Sequence, residues 1–167
     1  MVKKYIILAF LPLLAVFLQS TLFHHFSIKG SIPDMVLILV VFYALFRGGR
    51  RGTLYGLLCG LLEDLYMGHF IGVNMLAKGF TGYILGRAQG TVFKENLWVG
   101  IIAVVAGTLI NSLVVAVLLL ANGSMLELEV AYSILYQCLY NLLLAGPIYL
   151  WYYYSIYDRL FRMTGES

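Results

Sequence analysis

Six long apolar stretches, separated by short breaks, set the limits on what this chain can fold into. Only 11% of its 167 residues are charged, whereas a soluble domain carries about 25%. So few polar side chains cannot cover a water-facing surface, and the solvent around most of the chain must be lipid. The sequence therefore predicts an all-α integral membrane protein.

The apolar stretches predict six transmembrane helices in a single transmembrane domain, residues 1–167. The predicted spans are Tyr5–Phe23, Ile32–Phe46, Thr53–Met67, Ile71–Gly86, Leu97–Ala121 and Val130–Tyr154. Because a full crossing takes about 20 residues and a short one about 17, the second to fourth spans need flanking residues to complete them. The first stretch resembles a signal peptide, but no small-residue cleavage site follows it, and we interpret it as a retained helix.

The basic residues test this count independently, because cytoplasmic loops are enriched in Lys and Arg. Nine of the eleven basic residues fall on one side of a six-span arrangement. They are Lys3, Lys4, Arg47, Arg50, Arg51, Arg87, Lys94, Arg159 and Arg162. Lys29 alone lies in the opposite loops, and Lys78 lies within a span. Five or seven spans would break this alternation, so both termini are predicted to be cytoplasmic.

The loops and the motif content argue against several classes of function. None of the loops can hold a soluble domain, and the sequence has no phosphate-binding loop, no His-Glu-x-x-His and no Gly-x-Ser-x-Gly. No enzyme activity and no cofactor are predicted. His24, His25 and His69 have no metal-site spacing, so no metal is predicted either. Cys59 and Cys138 lie in apolar segments and are predicted to be buried packing residues without a disulfide.

Two rows of small residues predict a closely packed hairpin of the third and fourth helices. The row in the third helix has a spacing of four residues and consists of Gly48, Gly52, Gly56 and Gly60, continued by Asp64. The row in the fourth helix has the same spacing and consists of Asn74, Lys78, Gly82, Gly86 and Gly90. Residues four apart share one helix face, and small residues on such a face let membrane helices approach closely. The turn Gly68–Gly72 makes the two helices antiparallel.

The charges in this hairpin need partners, since one charge at the centre of a lipid-facing helix costs about 2.5–3.5 kcal/mol on insertion scales. Folding about the turn places Lys78 roughly three residues, or about 4.5 Å, deeper than Asp64. Lys78 is therefore predicted to pair with Asp64 or Glu63, in an intramembrane polar cluster that includes Asn74. The cluster is interpreted as an internal staple, as a surface for a partner's transmembrane helix, or as a ligand or proton site.

Four further polar residues are weaker candidates. Asp34 follows Pro33 at the start of the second helix, where an acid meets the positive end of the helix dipole. Asn111, Gln137 and Asn141 lie in the fifth and sixth spans, where hydrogen bonds across a bundle contribute about 0.6 kcal/mol each.

Several short motifs give the chain a family resemblance. The resemblance rests on five segments: Pro33-Asp-Met-Val-Leu-Ile-Leu, Phe42-Tyr-Ala-Leu-Phe-Arg-Gly, Gly56-Leu-Leu-Cys-Gly-Leu-Leu-Glu-Asp-Leu, Gly72-Val-Asn-Met-Leu and Gly82-Tyr-Ile-Leu-Gly. Over Ile32–Gly86, about a third of the chain, the sequence resembles MreD, the rod shape-determining membrane protein of bacteria. The rest agrees in length and layout.

The resemblance implies a non-enzymatic scaffold subunit of the cell-elongation (rod) complex, multi-pass in the bacterial cytoplasmic (inner) membrane. Its implied partners are MreC, the RodA glycosyltransferase with its penicillin-binding transpeptidase and, indirectly, MreB filaments. Such a subunit would support peptidoglycan synthesis and rod shape through helix–helix contacts.

A distant similarity leaves a second function open. The family is similar to the substrate-binding subunits of energy-coupling-factor vitamin transporters, which implies a bundle that binds a small molecule. The first helix has Ala9 and Ala15 but lacks the Ala-x-x-x-Ala docking motif, and the outer loops are short, which favours the scaffold.

Overall fold

Six α-helices make up the described part of the chain, which covers residues 2–21, 32–68, 71–89, 97–123 and 128–153 of a computed structural model. They are α1 (Val2–Thr21), α2 (Met35–Arg47), α3 (Gly49–Met67), α4 (Val73–Arg87), α5 (Leu97–Ala121) and α6 (Leu128–Tyr152). These ranges contain no strand. His24, His25, Lys29, His69, Gly90, Lys94, Arg159 and Arg162, and the predicted span ends 22–23 and 154, lie outside the described residues.

The helix bounds lie within four residues of those predicted, and the largest difference concerns the loop between α2 and α3. This loop was predicted over 47–52, but a single residue, Gly48, separates the two helices. Gly48 has a φ of +88°, which glycine adopts readily because it has no Cβ. The chain therefore reverses at one residue, and Arg50 and Arg51 lie exposed in the first turn of α3.

Among the described residues, two helices are long and apolar enough to cross a membrane by length and composition: α5, and Tyr132–Tyr152 within α6. Leu8–Thr21 of α1 and the whole of α2 are shorter apolar helices. With 13 residues, α2 is about 20 Å long, which is less than the roughly 30 Å of a hydrocarbon core. Polar groups at its ends therefore lie at a depth where a longer helix would place apolar side chains.

The shortest helix, α2, lies at the centre of the bundle. Ten of its 13 residues are buried, and it contacts all five other helices. A helix that is apolar on every side is a core helix, which explains its unbroken run of aliphatic and aromatic side chains. Phe42 meets Tyr149 of α6 edge-on at 5.4 Å, and Phe46 stacks on Tyr152 at 5.7 Å between ring centroids.

The predicted hairpin of α3 and α4 is the most extensive helix pair in the described part of the chain. Its two glycine rows face each other at backbone contact. A Cβ added to Gly56 would collide with the carbonyl oxygen of Lys78, and one added to Gly60 with that of Asn74. At Gly82 it would lie 2.5 Å from the Gly52 carbonyl oxygen, and at Gly86 2.5 Å from the Gly49 nitrogen. The rows are therefore buried inside the bundle.

Replacing Gly56 by Leu is expected to reduce folded protein severely, because the new side chain would separate the backbones of α3 and α4. Overpacking of this kind costs about 1–3 kcal/mol or more. The measurement is accumulation in membranes, followed by thermal unfolding in mild detergent.

The matched control for this substitution is Gly146→Ala in α6. A Cβ at Gly146 meets nothing within 4 Å, and Ala favours helix over Gly by up to about 1 kcal/mol. The control should fold at least as well as the natural protein. Normal accumulation and melting of Gly56→Leu would contradict the close packing.

Candidate functional site

The side chain of Lys78 is completely buried and lies between two carboxylates. Its Nζ is 2.5 Å from Glu63 Oε2 and 2.9 Å from Asp34 Oδ2, and it lies 3.5 Å from the amide oxygen of Asn74, one turn earlier on α4. Of the two partners predicted for Lys78, the structure has Glu63. Asp34, which the sequence suggested only as a helix cap, is its second partner.

Asp34 reaches Lys78 from the start of α2. The residue is the N-cap of α2, and its Oδ1 accepts a hydrogen bond of 2.7 Å from the backbone N–H of Leu37. Its other oxygen, Oδ2, is free to contact Lys78. Helical side chains tilt towards the N-terminus of their helix, and the Nζ of Lys78 accordingly lies 3.5 Å from Asn74 in the first turn of α4. The sequence does not reveal that the starts of α2 and α4 meet in this way.

A glutamine of α1 holds the other carboxylate. Gln19 is 2% exposed, and its side-chain N–H donates to Glu63 Oε1 at 2.8 Å. The sequence analysis missed this residue. Its only signal is that a glutamine stands in a predominantly apolar span, and nothing local indicates that it meets Glu63, 44 positions further on.

Two side chains from α5 and α6 complete the network around Asp34. The Asn141 amide oxygen accepts a hydrogen bond of 2.9 Å from the Asp34 backbone N–H, and its amide N–H donates to Thr108 Oγ1 at 3.0 Å. Thr108 in turn donates to the Val104 carbonyl at 2.8 Å. Asn141 thus makes the cross-bundle hydrogen bonds predicted for it. Thr108 carries no distinguishing signal, because a threonine hydroxyl bonds its own helix in many apolar helices.

Asp64 was the first of the two partners predicted for Lys78, but the structure gives it a different role. Its carboxylate accepts hydrogen bonds from the backbone N–H groups of Gly72, Asn74 and Met75, at 2.8, 3.1 and 3.0 Å. These donors belong to the first turn of α4, whose N–H groups have no partners within the helix. Asp64 therefore ties the end of α3 to the start of α4. The positive end of the α4 dipole compensates its charge.

A polar cavity of about 280 Å³ lies beside the network, where α1, α3 and α5 end and α2, α4 and α6 begin. We call this the network end of the bundle. Gln137 and Asn111 both line the cavity. The buried Asn111 Oδ1 has no hydrogen-bond partner among the described residues, so the cross-bundle bond predicted for Asn111 is not formed by this atom.

The network links all six helices, each through one residue. The set is Gln19 of α1, Asp34 at the start of α2, Glu63 of α3, Lys78 of α4, Thr108 of α5 and Asn141 of α6. Buried charges require both pairing and hydrogen bonds, and each carboxylate has both. Chemically, the arrangement holds the helices at a defined depth, and its two carboxylates share one ammonium group.

Charges gathered inside a bundle with large apolar side chains outside are the organisation of a helical membrane protein. The family model for rod shape-determining protein MreD matches residues 1–157. The match runs through all six helices, and the chain belongs to the MreD family. No match was found among curated proteins or among solved structures.

Lys78→Met is expected to destabilise the protein by about 3–5 kcal/mol, because it leaves two buried carboxylates without their cation. Adding Glu63→Gln and Asp34→Asn should recover most of that loss. Thermal unfolding of the purified variants in detergent measures both effects.

Asp64→Asn in the Lys78→Met background is the matched control for this rescue. Because Asp64 is bound by backbone N–H groups of α4, removing its charge should not compensate for the lost lysine. Equal rescue by Asp64→Asn, or an undiminished melting temperature of Lys78→Met alone, would show that the ion pairs are not what holds the network.

Proposed function

We propose that this protein is a non-enzymatic scaffold of the bacterial cell-elongation complex. In this role it keeps the membrane helices of MreC and of the RodA–transpeptidase synthase in register and, through them, is linked to MreB filaments. It thereby supports peptidoglycan synthesis along the cell length. The observation that carries the proposal is the MreD family match over residues 1–157.

The distribution of polar groups supports recognition through helix faces. The charged groups of the network and both glycine rows are buried, so partners would meet apolar outer faces. On α5 and α6 these faces include Ile102, Leu109, Leu113, Val117, Leu135, Leu139 and Leu143. In lipid such faces associate through shape and van der Waals packing, since lipid tails are as apolar as leucine.

For the membrane topology we propose a single domain of six spans in the cytoplasmic membrane, with both termini in the cytoplasm. The meeting of helix ends with helix starts around the network supports an alternating arrangement. Arg47, Arg50, Arg51 and Arg87 lie at the opposite end of α2, α3 and α4 from the network, which the positive-inside rule places in the cytoplasm. The network end would then face outward.

Cysteine labelling tests this topology. In a background without Cys59 and Cys138, Arg50→Cys should react only with a thiol reagent that reaches the cytoplasm, and Asn122→Cys should react with an impermeant reagent added outside. Both positions are exposed. Labelling of both from the same side would contradict six alternating spans.

Partner capture tests the scaffold role. A photo-crosslinking residue placed at Leu58, Leu113 or Leu143, which are 62%, 66% and 72% exposed on three different helices, should capture MreC or RodA in the native host. Mass spectrometry of the tagged, detergent-extracted complex identifies the partner.

The same host provides the functional measurement. Depletion of the protein should turn rods into spheres, and the tagged Gly146→Ala variant should restore rods. Capture of a transport ATPase without any wall synthase, together with unchanged cell shape, would overturn the proposal in favour of a transporter subunit.

A further inference from the structure

The polar cavity at the network end has the features of a built binding site. Its volume of about 280 Å³ lies near the lower limit of small-molecule pockets, about 300 Å³. It extends along α5 from Asn111 to Leu119, a length of about 12 Å. Residues from all six helices or their starting segments line it, and Gln19, Asp34 and Glu63 of the network are among them.

Two buried oxygens in the cavity wall are hydrogen-bond acceptors without a donor. Gln19 Oε1 and Asn111 Oδ1 have no partner among the described residues, although Gln19 is 2% and Asn111 4% exposed. A buried polar group left in this state destabilises a protein, and such groups in native proteins call for an explanation. A bound donor supplies one.

The carboxylates in the cavity wall favour a hydrogen-bond donor that is positively charged. Two carboxylates, Asp34 and Glu63, share the single ammonium group of Lys78, and this surplus of carboxylate oxygens favours a cation over a neutral molecule. A primary ammonium group offers three N–H donors and no acceptor, which suits a wall of unpaired oxygens.

The apolar part of the cavity wall favours an ammonium group that carries a hydrocarbon chain. It consists of Met67, Val115, Ala116, Leu119 and Ile134, whose side chains present hydrocarbon to the cavity. An alkyl chain of a few carbons can bury itself there, and each CH₂ group removed from water favours binding. A bare metal ion or a water molecule would leave this wall without contacts.

We propose that the cavity binds a primary ammonium group carried on a short hydrocarbon chain. Gln19 Oε1 and Asn111 Oδ1 accept two of its N–H donors, and the acidic side of the network compensates its charge. The group can belong to a free alkylamine or to the ethanolamine head of a phospholipid, which share this chemistry. The site is independent of the scaffold role and stands or falls separately from it.

Calorimetric titration with n-butylammonium tests the site directly, using the full chain in phosphatidylcholine nanodiscs. Saturable binding of one ion per chain is expected. Tetramethylammonium, which has the charge without N–H donors, and n-butanol, which has the chain without the charge, should bind at least about tenfold more weakly, because a hydrogen bond to a charged group contributes about 1.5–3 kcal/mol.

Asn111→Leu tests the residue assignment, because Asn111 makes none of the network's ion pairs. Binding of n-butylammonium should weaken at least about tenfold, while the melting temperature without ligand stays equal or rises as the unpaired oxygen is removed. Asn122→Leu changes an exposed amide of the turn after α5, outside the cavity, and should leave binding unchanged.

Repeating the titration in phosphatidylethanolamine nanodiscs distinguishes the two sources. Loss of butylammonium binding there, with one phosphatidylethanolamine retained per chain in native mass spectrometry, identifies the lipid headgroup. Undiminished binding identifies a free amine, and either result supports the site.

Equal binding of tetramethylammonium, or unchanged binding by Asn111→Leu, would overturn the proposal. The absence of both butylammonium binding and retained phosphatidylethanolamine would also overturn it. The comparison of probes on the natural protein decides the matter even if the variant fails to fold.

Discussion

The burial of one ammonium group, Lys78 Nζ, between the carboxylates of Glu63 and Asp34 is the interaction on which the rest of the structure depends. A charge removed from water is tolerated only when it is paired and hydrogen-bonded. Meeting that condition fixes the relative depth of α2, α3 and α4, and Gln19 and Asn141 extend the constraint to α1 and α6. Leucine contacts alone do not fix depth, because in lipid one leucine face packs much like another.

The glycine rows and the charge network are two parts of one arrangement. Gly56 lies against the backbone carbonyl of Lys78, and Gly60 lies against that of Asn74. The close approach that packs α3 on α4 therefore also carries the lysine side chain to Glu63. Asp64 closes the same hairpin by capping the first turn of α4, so the two adjacent acids have separate tasks.

Because the charged groups are paired inside the bundle, the outer surface of the helices is left mainly to apolar side chains. With its charged network and glycine rows buried, the protein presents large apolar side chains on the outer faces of its helices, and the proposed scaffold role would use these faces. The cavity at the network end is the exception, because there the network meets open space with unpaired acceptors at Gln19 and Asn111. Scaffold and binding site would thus use different surfaces of one bundle.

By itself the sequence determined the helical class, the approximate bounds of six helices, the glycine-packed hairpin and the need of Lys78 for an acidic partner. These follow from composition, period and spacing, which are local properties of the chain. Only the tertiary structure decided that Glu63 and Asp34 are the partners, that Asp64 caps α4, and that Gln19, Thr108 and Asn141 complete the network. The physical reason is that helix depth and rotation in a bundle are set by packing between segments far apart in sequence, and no local pattern records them.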